Sequence, residues 1–326
     1  MRIFITGASG YLGARISKFF ADRGDQVFTL CFSAIPDDPE WVNAMEEVLV
    51  GDVRDENLMK EVANKKMDAI IHLVSLDQKQ SGGLPSFVSS VNVAPTWSLL
   101  DVFSGQGLKQ FIYFSTVHVY GNLDALGGET ITESRELDCK NPYALTHALG
   151  EEICDYYAKT SDTACTILRL SNSYGSPVLL NANCWQLVVN NLCKSAFEKK
   201  KIELSGDGSS MRDFIHGDDV CRAVEAVMDR SAVRAPAADI FNVSSGTALT
   251  VLELAGVVRE EYQRRYGENI PVSTSNGACD NFDLFKDKAK YTISNTGLKN
   301  IGFVPKNDLK DGINGLFSFL ELNNKA

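Results

Sequence analysis

The sequence opens with a short apolar run that leads directly into three glycines, and this stretch restricts the fold more than any other. Residues 3–5 form the kind of segment expected for a parallel strand buried on both faces. Gly7, Gly10 and Gly13 follow it, and a helical pattern starts near Tyr11. In this context the glycines permit a tight turn and close approach of a pyrophosphate, and the helix N-terminus offers free N–H groups. The stretch predicts a dinucleotide site, with a glycine-rich turn without a ligand as the alternative.

The composition is that of a globular chain whose charge disfavours polyanionic partners. The 326 residues suffice for one large domain or two closely joined ones, and a hydrophobic content of 44% can fill a sizeable core. The net charge of −10 argues against nucleic acid and against an anionic membrane as partners. A phosphorylated ligand would therefore have to be held by local arginines and backbone amides.

Three features predict a cytoplasmic protein. The first strand begins at residue 2, so we expect no signal peptide. No apolar run is long enough to span a bilayer. The eight cysteines form no C-x-x-C pair and no zinc-type spacing with histidine, so we expect reduced thiols and no metal site.

Apolar strands alternate with helical patterns through the first 170 residues. Strands are predicted at residues 27–30, 48–50, 69–74, 111–114 and 164–170, and helices at 56–64, 87–103 and 142–159. This alternation favours an α/β fold with a Rossmann-like, doubly wound parallel sheet. We assign residues 1–170 to a dinucleotide-binding domain, to which residues 212–245 return.

The regular alternation of strands and helices ends after residue 170. Residues 171–177 read as a loop, and further helices are predicted at 185–198, 251–266 and 306–320, with another beginning at residue 218. A strand is predicted at 240–243. We assign residues 171–211 and 246–326 to a smaller, mixed α/β substrate-binding lobe laid against the sheet.

The cofactor half of the site can be outlined from the strand ends. The residue after the second strand commonly selects NAD through a carboxylate or NADP through a nearby arginine, but Cys31 stands there. Without an arginine beside it we favour NAD and keep NADP as the alternative. Asp52 could accept a hydrogen bond from the adenine amino group or cap the following helix. The predicted contacts are Gly7, Gly10, Tyr11, Leu12, Gly13, Asp52, Val53 and Leu73. His72, inside an apolar strand, reads as a core histidine.

Further short motifs follow in chain order and complete a recognisable pattern. They are Gly51-Asp52, Phe114-Ser115-Thr116, Val119-Tyr120-Gly121, Asn141-Pro142-Tyr143, Arg169 to Asn172 with Tyr174-Gly175, and Arg212-Asp213-Phe214-Ile215. Together with the glycine turn, they make the chain resemble the extended short-chain dehydrogenase/reductase family, in its branch of nucleotide-sugar epimerases, dehydratases and reductases. The resemblance covers nearly the whole chain.

The resemblance implies a role for several residues. Tyr143 matches the catalytic tyrosine that gives or takes the hydroxyl proton, and Thr116 matches the residue that hydrogen-bonds the reacting oxygen. Asn172 matches a contact to the sugar diphosphate, and Arg212 matches an arginine that pairs with it. His147 occupies the position of a cofactor-binding and catalytic partner of the tyrosine.

The chain departs from the family pattern at three places. The family has a lysine four residues after its tyrosine, where this chain has His147. We expect His147 to share a helix face with Tyr143, to donate a hydrogen bond to the ribose and to activate the tyrosine poorly. Dehydratases have Asp-Glu after the threonine, where Val117 and His118 stand here, which argues against a dehydratase. Residues 281–286 lack a second phosphate-binding arginine.

The resemblance implies an NAD(P)-dependent enzyme that modifies a nucleotide-activated sugar by hydride transfer, either an epimerase or a 4-keto reductase. Such enzymes often serve polysaccharide biosynthesis. The alternative is a catalytically impaired cofactor-binding sensor or scaffold, which the histidine at position 147 favours. We also expect a homodimer, in which helices 87–103 and 143–159 pair with their symmetry mates, because Trp97, Leu99, Leu100, Val102 and Phe103 are too many for one face.

Overall fold

The structure, a computed structural model, describes residues 1–230 and 237–323. Its strands are β1 (Arg2–Thr6), β2 (Gln26–Cys31), β3 (Glu47–Val50), β4 (Ala69–His72), β5 (Gln110–Thr116), β6 (Thr130–Ile131), β7 (Ala164–Leu170), β8 (Asn172–Tyr174), β9 (Ile202–Glu203), β10 (Met211–His216), β11 (Asp239–Val243), β12 (Ala248–Thr250), β13 (Val272–Thr274), β14 (Gly277–Ala278) and β15 (Thr292–Ile293). Its helices are α1 (Tyr11–Asp22), α2 (Pro39–Ala44), α3 (Glu56–Ala63), α4 (Pro85–Asn92), α5 (Ala94–Ser104), α6 (Pro142–Thr160), α7 (Val188–Lys199), α8 (Gly217–Asp229), α9 (Val251–Tyr266), α10 (Thr296–Lys299) and α11 (Leu309–Asn323).

Seven parallel strands form the central sheet, in the order β11-β7-β5-β4-β1-β2-β3. The order reverses at β1, which lies between β2 and β4, so the crevice expected at such a reversal opens beside the glycine turn. Apolar layers lie on both faces: α1, α2 and α8 cover one, and α3, α5 and α6 cover the other. The predicted Rossmann-like α/β fold is confirmed.

A smaller region with a separate apolar core adjoins the sheet. Helices α7, α9 and α11 surround this core. Three small sheets accompany it, ordered β12-β10-β8, β14-β13-β9 and β15-β6. Strand β10 belongs to the first of these, whereas α8 packs on α1 and β11 ends the central sheet. The division of the chain at residue 170 stays a prediction.

Two sequence-based assignments of local structure were wrong. The helix predicted over residues 87–103 is two helices, α4 and α5, interrupted at Val93. Pro95 explains the break, because it has no N–H to donate and its ring crowds the preceding turn. The loop predicted over residues 171–177 contains β8, which pairs in parallel with β10. Three residues are too short to show a strand period, so only the pairing reveals the strand.

A buried ion pair joins α6 to the middle of the sheet. Glu151 and Arg169 have side chains only 5% and 4% exposed, and Arg169 Nη2 donates to Glu151 Oε2 at 2.6 Å. Ser115 Oγ donates to the same carboxylate at 2.5 Å. Arg169 Nη1 donates to the Tyr120 hydroxyl at 3.0 Å, and this hydroxyl donates to Asn242 Oδ1 at 2.7 Å. This network holds the carboxyl end of β5 in place, next to Thr116.

Within the described part of the chain, no helix combines the length and apolarity needed to cross a membrane. All eight cysteines are described and have free thiols. No group of His, Cys, Asp and Glu side chains among the described residues is placed to hold a metal ion.

Replacing Glu151 with alanine should lower the free energy of unfolding by about 3–5 kcal/mol, because it leaves the Arg169 charge buried without a partner. Urea unfolding followed by circular dichroism measures the loss. Asp22→Ala is the matched control, since it breaks the exposed Lys18–Asp22 pair of α1 and should cost far less. Equal losses in the two variants would contradict the assigned importance of the buried pair.

Candidate active site

The turn between β1 and α1 forms the floor of a cleft at the carboxyl edge of the sheet. Gly7 has a φ of +72°, which L side chains rarely adopt. A Cβ at residue 13 would lie only 2.1 Å from the Gly7 carbonyl oxygen, so glycine alone permits this approach of α1 to β1. No side chain caps α1 at Gly10, so its first N–H groups remain available. This cradle fits a dinucleotide pyrophosphate.

Two pockets open on either side of this turn and share part of their lining. Their volumes are about 420 and 430 Å³, and both are lined by Gly7, Gly10, Leu73, Ser75 and Leu76. A dinucleotide consists of two nucleotides joined through the pyrophosphate. Two pockets that meet at the phosphate cradle therefore match the two halves of such a ligand, here called the adenosine pocket and the nicotinamide pocket.

Asp52 and Val53 line the adenosine pocket, as predicted from the sequence. The alternative role of Asp52 as a helix cap falls instead to Asp55, whose carboxylate accepts from the backbone N–H groups of Asn57 and Leu58. Asp52 does not cap the helix, and a hydrogen bond from Arg54 keeps the pKa of its carboxyl below the usual value.

Arg54 is an adenosine-pocket residue that the sequence reasoning missed, because an arginine was sought beside Cys31. Its Nη2 donates to Asp52 Oδ2 at 2.5 Å, and its Nε donates to Asp52 Oδ1 at 2.9 Å. The guanidinium also lies 6.0 Å from the centre of the Phe87 ring. Since Asp52 already engages this charge, Arg54 offers little to a 2′-phosphate, which is consistent with the preference for NAD.

The nicotinamide pocket gathers the predicted catalytic residues. Residues from both halves of the chain line it: Tyr11, Leu12, Gly13, residues 75–78, Phe114, Ser115, Thr116, His118, Tyr143, His147, residues 170–173 and residues 186–188. Thr116, Tyr143, His147 and Asn172 therefore come together as predicted. Tyr11 is buried, and its hydroxyl has no hydrogen-bond partner among the described residues.

Tyr143 lies in the first turn of α6 and faces groups that keep it a neutral phenol. Burial raises the pKa of Tyr143, the nearby Asp77 carboxylate acts in the same direction, and the Thr116 hydroxyl acts against them. No cationic side chain of the described residues contributes to this balance. The geometry thus supplies a proton donor beside Thr116 rather than a preformed tyrosinate.

His147 lies one helical turn after Tyr143, and their ring centroids are 4.4 Å apart. Its Nδ1 is 2.8 Å from the Tyr143 carbonyl oxygen. A carbonyl only accepts, so Nδ1 carries the proton, and Nε2 of the neutral ring is an acceptor. The expectation that His147 donates a hydrogen bond to the ribose is therefore wrong: it can accept one from a ribose hydroxyl. Burial also lowers the pKa of His147 to about 4, so the ring carries no charge at neutral pH.

The predicted diphosphate contacts lie on the substrate side, but not in one place. Asn172 lines the nicotinamide pocket, and its Nδ2 donates to the Asp213 carbonyl at 3.0 Å. Arg212 lies outside that lining, where its Nη1 donates to Ser210 Oγ at 2.6 Å. Its charge also contributes, after burial, to the lowered pKa of His118, a lining residue.

Lys288 is a cation close to Arg212, just after residues 281–286, which lack an arginine. Its Nζ lies 3.6 Å from Asp124 Oδ1, and Arg212 Nη1 lies 3.8 Å from Asp124 Oδ2. The two cations therefore flank one carboxylate. The sequence reasoning missed Lys288 because it looked for a guanidinium in the preceding residues.

Several other pocket residues carried no usable signal in the sequence. Residues 75–78 form an irregular loop after β4. Residues 186–188 lead into α7, which begins at Val188, later than the predicted residue 185. His72 lies outside both pockets: its Nδ1 is 2.7 Å from Thr6 Oγ1, and burial lowers its pKa to about 3. It is a core histidine, as predicted.

Gly13→Ala should weaken dinucleotide binding at least tenfold, because the added methyl group pushes α1 away from the Gly7 carbonyl and opens the phosphate cradle. Titration of NAD against the protein by calorimetry measures the change. Gly105→Ala is the matched control: a Cβ there meets no atom within 4 Å, so its affinity should match that of the wild type. Wild-type affinity in Gly13→Ala would show that this contact does not shape the cradle.

Comparisons with known proteins agree with this geometry. The chain is 24% identical over 325 residues to the low-salt glycan biosynthesis protein Agl12 of Haloferax volcanii, covering 96% of both. It is 24% identical over 326 residues to a putative UDP-glucose 4-epimerase of Methanocaldococcus jannaschii, covering 99% of this chain and 100% of that protein. The crystal structure of UDP-glucose 4-epimerase from Thermotoga maritima with UDP-glucose superposes with a TM-score of 0.82 at 21% identity. That superposition covers 99% of this chain and 100% of the other, and it shows a shared fold.

A family model provides the more general assignment. The model described as the NAD dependent epimerase/dehydratase family matches residues 3–244, from the first strand through β11. The matched range contains the glycine turn, Asp52, Thr116, Tyr143, Asn172 and Arg212. The chain belongs to the NAD dependent epimerase/dehydratase family.

Proposed function

We propose that this chain is an NAD-dependent enzyme that exchanges a hydride with a carbon of a nucleotide-activated sugar, as an epimerase or a 4-keto reductase. The observation that carries the proposal is the position of Tyr143 beside Thr116, in a pocket continuous with the phosphate cradle. A protein that only binds the cofactor has no need for the Tyr143 phenol and the Thr116 hydroxyl side by side in the nicotinamide pocket.

NAD, Thr116, Tyr143 and His147 would each have a separate role in the reaction. Bound NAD would supply the hydride acceptor or donor. Thr116 donates a hydrogen bond to the reacting sugar oxygen, and Tyr143 gives that oxygen a proton or takes one from it. His147 accepts from a ribose hydroxyl through Nε2 and so orients the cofactor without adding charge. Ser75 and Leu76, in the loop after β4, line both pockets.

The substrate side offers positive charge to a diphosphate. Arg212 and Lys288 flank Asp124, and a diphosphate that displaces this carboxylate would be bound by both cations. The N-terminus of α7 adds free N–H groups, because Leu187 gives no side-chain cap and lines the pocket. The relatives that act on UDP sugars support the same substrate class.

The neutral state of His147 has a direct catalytic consequence. Sugar oxidation requires Tyr143 to accept a proton, whereas reduction of a keto sugar requires it to donate one. A lysine would favour tyrosinate, each unit of pKa being worth about 1.4 kcal/mol. Without that charge, the phenol is the dominant form at neutral pH, and the reduction direction has its proton in place.

Tyr143→Phe should lower hydride transfer by about 100-fold or more, since general acid–base catalysis contributes on that scale. NAD binding should stay close to that of the wild type, because the phosphate cradle is unaffected.

In wild type, the rate of sugar oxidation should keep rising with pH above neutrality, and His147→Lys should shift this rise to lower pH. Absorbance of NADH at a series of pH values measures both effects.

A different set of results would favour the alternative of a catalytically impaired sensor or scaffold. That alternative is supported by the missing lysine at position 147 and by the missing acidic residue at position 31. NAD and nucleotide-sugar binding without hydride transfer in wild type and in His147→Lys would establish it. Activity that Tyr143→Phe leaves intact would refute the catalytic assignment itself.

We also propose that two copies pair through α6 and α5. Leu145, Leu149 and Tyr156 form an apolar stripe on α6 that is 52%, 44% and 56% exposed, and Trp97 of α5 is 56% exposed. Leu99, Leu100 and Phe103 of α5, which the sequence places in the interface, are instead buried in the core of their own chain. A stripe on one helix face can meet its own copy in a symmetric interface.

Leu149→Glu should convert a dimer to a monomer at micromolar concentration, because it places a charge in the centre of the apolar stripe. Size-exclusion chromatography with light scattering measures the mass. Leu322→Glu is the matched control, since Leu322 is an exposed leucine on a different helix, α11. A wild-type mass equal to one chain would contradict the proposed dimer.

A further inference from the structure

The lining of the nicotinamide pocket contains a single acidic side chain, that of Asp77. Among the described residues that line this pocket, no other is an aspartate, glutamate, lysine or arginine. Burial lowers the pKa of both lining histidines, His118 and His147, below the usual value, so both rings are uncharged at neutral pH. The pocket therefore presents one negative charge to a ligand, with no positive charge in its lining to balance it.

Hydrogen bonds within the loop after β4 hold Asp77 in place. Its Oδ1 accepts from the Gln80 N–H at 2.8 Å, and its carbonyl accepts from the Ser81 N–H at 2.8 Å. Its Oδ2 forms no hydrogen bond or ion pair within residues 1–230 and 237–323. Lys79, two residues further along, is exposed and lines neither pocket. One carboxylate oxygen is thus anchored, and the other is available to a ligand.

Asp77 lies toward the part of the pocket that would take the sugar. Its charge acts on the Tyr143 phenol, whereas it is not among the groups that act on His147. Tyr143 and Thr116 are the groups that would bind the reacting sugar oxygen, and His147 is the one that would orient the cofactor ribose. A carboxylate on the Tyr143 side of the pocket therefore meets substituents of the sugar.

The cations of the substrate side lie outside this lining. Arg212 and Lys288 flank Asp124 and are the groups offered to a diphosphate. A ligand that matches both places has a diphosphate for the cations and a positive group for Asp77. On a sugar, a protonated amino group is such a group, whereas the carboxylate of a uronic acid would meet a like charge. Complementary and repelled charges of this kind determine which ligand a site selects.

We propose that Asp77 determines which sugar this pocket accepts: its carboxylate binds a nucleotide-activated sugar with a free amino group and rejects one with a carboxylate group. The amino group donates a charge-assisted hydrogen bond to Asp77 Oδ2. Neutral sugars bind with intermediate affinity, because a hydroxyl donates to the same oxygen without charge. The inference rests on the proposed function, which places the sugar beside Tyr143.

Calorimetric titration of the full chain with NAD present tests the order of affinities. The neutral probe is a glucose derivative, the anionic probe is a glucuronic acid derivative, and the cationic probes are glucose derivatives with a free amino group at carbon 2, 3 or 6. Each is used as its UDP and dTDP form. At least one amino sugar should bind about tenfold or more tightly than the neutral probe, and the glucuronic acid derivative about tenfold or more weakly.

Asp77→Asn removes the charge and keeps an oxygen that accepts from the Gln80 N–H. It should lower the preference for the amino sugar over the glucuronic acid derivative by about tenfold or more. Asp22→Asn is the matched control, because it makes the same change at an exposed carboxylate of α1 outside both pockets, and it should keep the wild-type order. Thermal unfolding verifies that each variant is folded.

Equal binding of the three classes by wild type, or a charge order that persists in folded Asp77→Asn, would overturn the role of Asp77. Hydride transfer without the charge order would leave the proposed function standing and refute this inference alone. The charge order without hydride transfer on any probe would support Asp77 and contradict the proposed function. Binding of none of the probes by wild type would overturn both.

Discussion

The contact between residue 13 and the Gly7 carbonyl is the constraint on which the rest of the site depends. A side chain at position 13 would collide with that oxygen at 2.1 Å, so only glycine allows α1 to begin directly over the end of β1. This approach aims the N–H groups of α1 into the crevice where the strand order reverses. Both pockets are defined relative to this turn and meet above it.

In the nicotinamide pocket, a neutral histidine occupies the position where the family has a positively charged lysine. His147 keeps the helical position of the expected lysine, but its Nδ1 proton is used by the Tyr143 carbonyl, and burial keeps the ring uncharged. The residue can orient a cofactor and cannot stabilise tyrosinate through charge. With Asp77 also nearby, the site favours the phenol. The groups of the pocket that can give a hydrogen-bonding proton are therefore neutral: Tyr143, Thr116 and the imidazole of His118.

Much of the fold and part of the site were predictable from the sequence. The β7 and α9 boundaries were predicted to the residue, because an apolar strand and a capped amphipathic helix leave strong local patterns. Asp52, Thr116, Tyr143 and Asn172 lie at or next to the ends of strands and helices, so their place at one sheet edge followed from the topology. Arg54, Lys288 and residues 186–188 carry no such pattern. Arg54 pairs with Asp52 inside one loop, whereas Lys288 and residues 186–188 approach through packing between distant segments.

The sequence by itself determined the doubly wound sheet, the glycine turn between β1 and α1, and the position of Tyr143, the proposed catalytic residue, because each depends on residue type at short spacing. Only the tertiary structure decided the tautomer of His147, the division of the helix at Val93 and the pairing of Arg54 with Asp52. It also decided that His118, alone among the four histidines, has no hydrogen-bond partner within the described residues. These properties depend on the conformation that each backbone segment and side chain adopts and on which groups then come within hydrogen-bonding distance. Residue spacing along the chain does not encode those conformations.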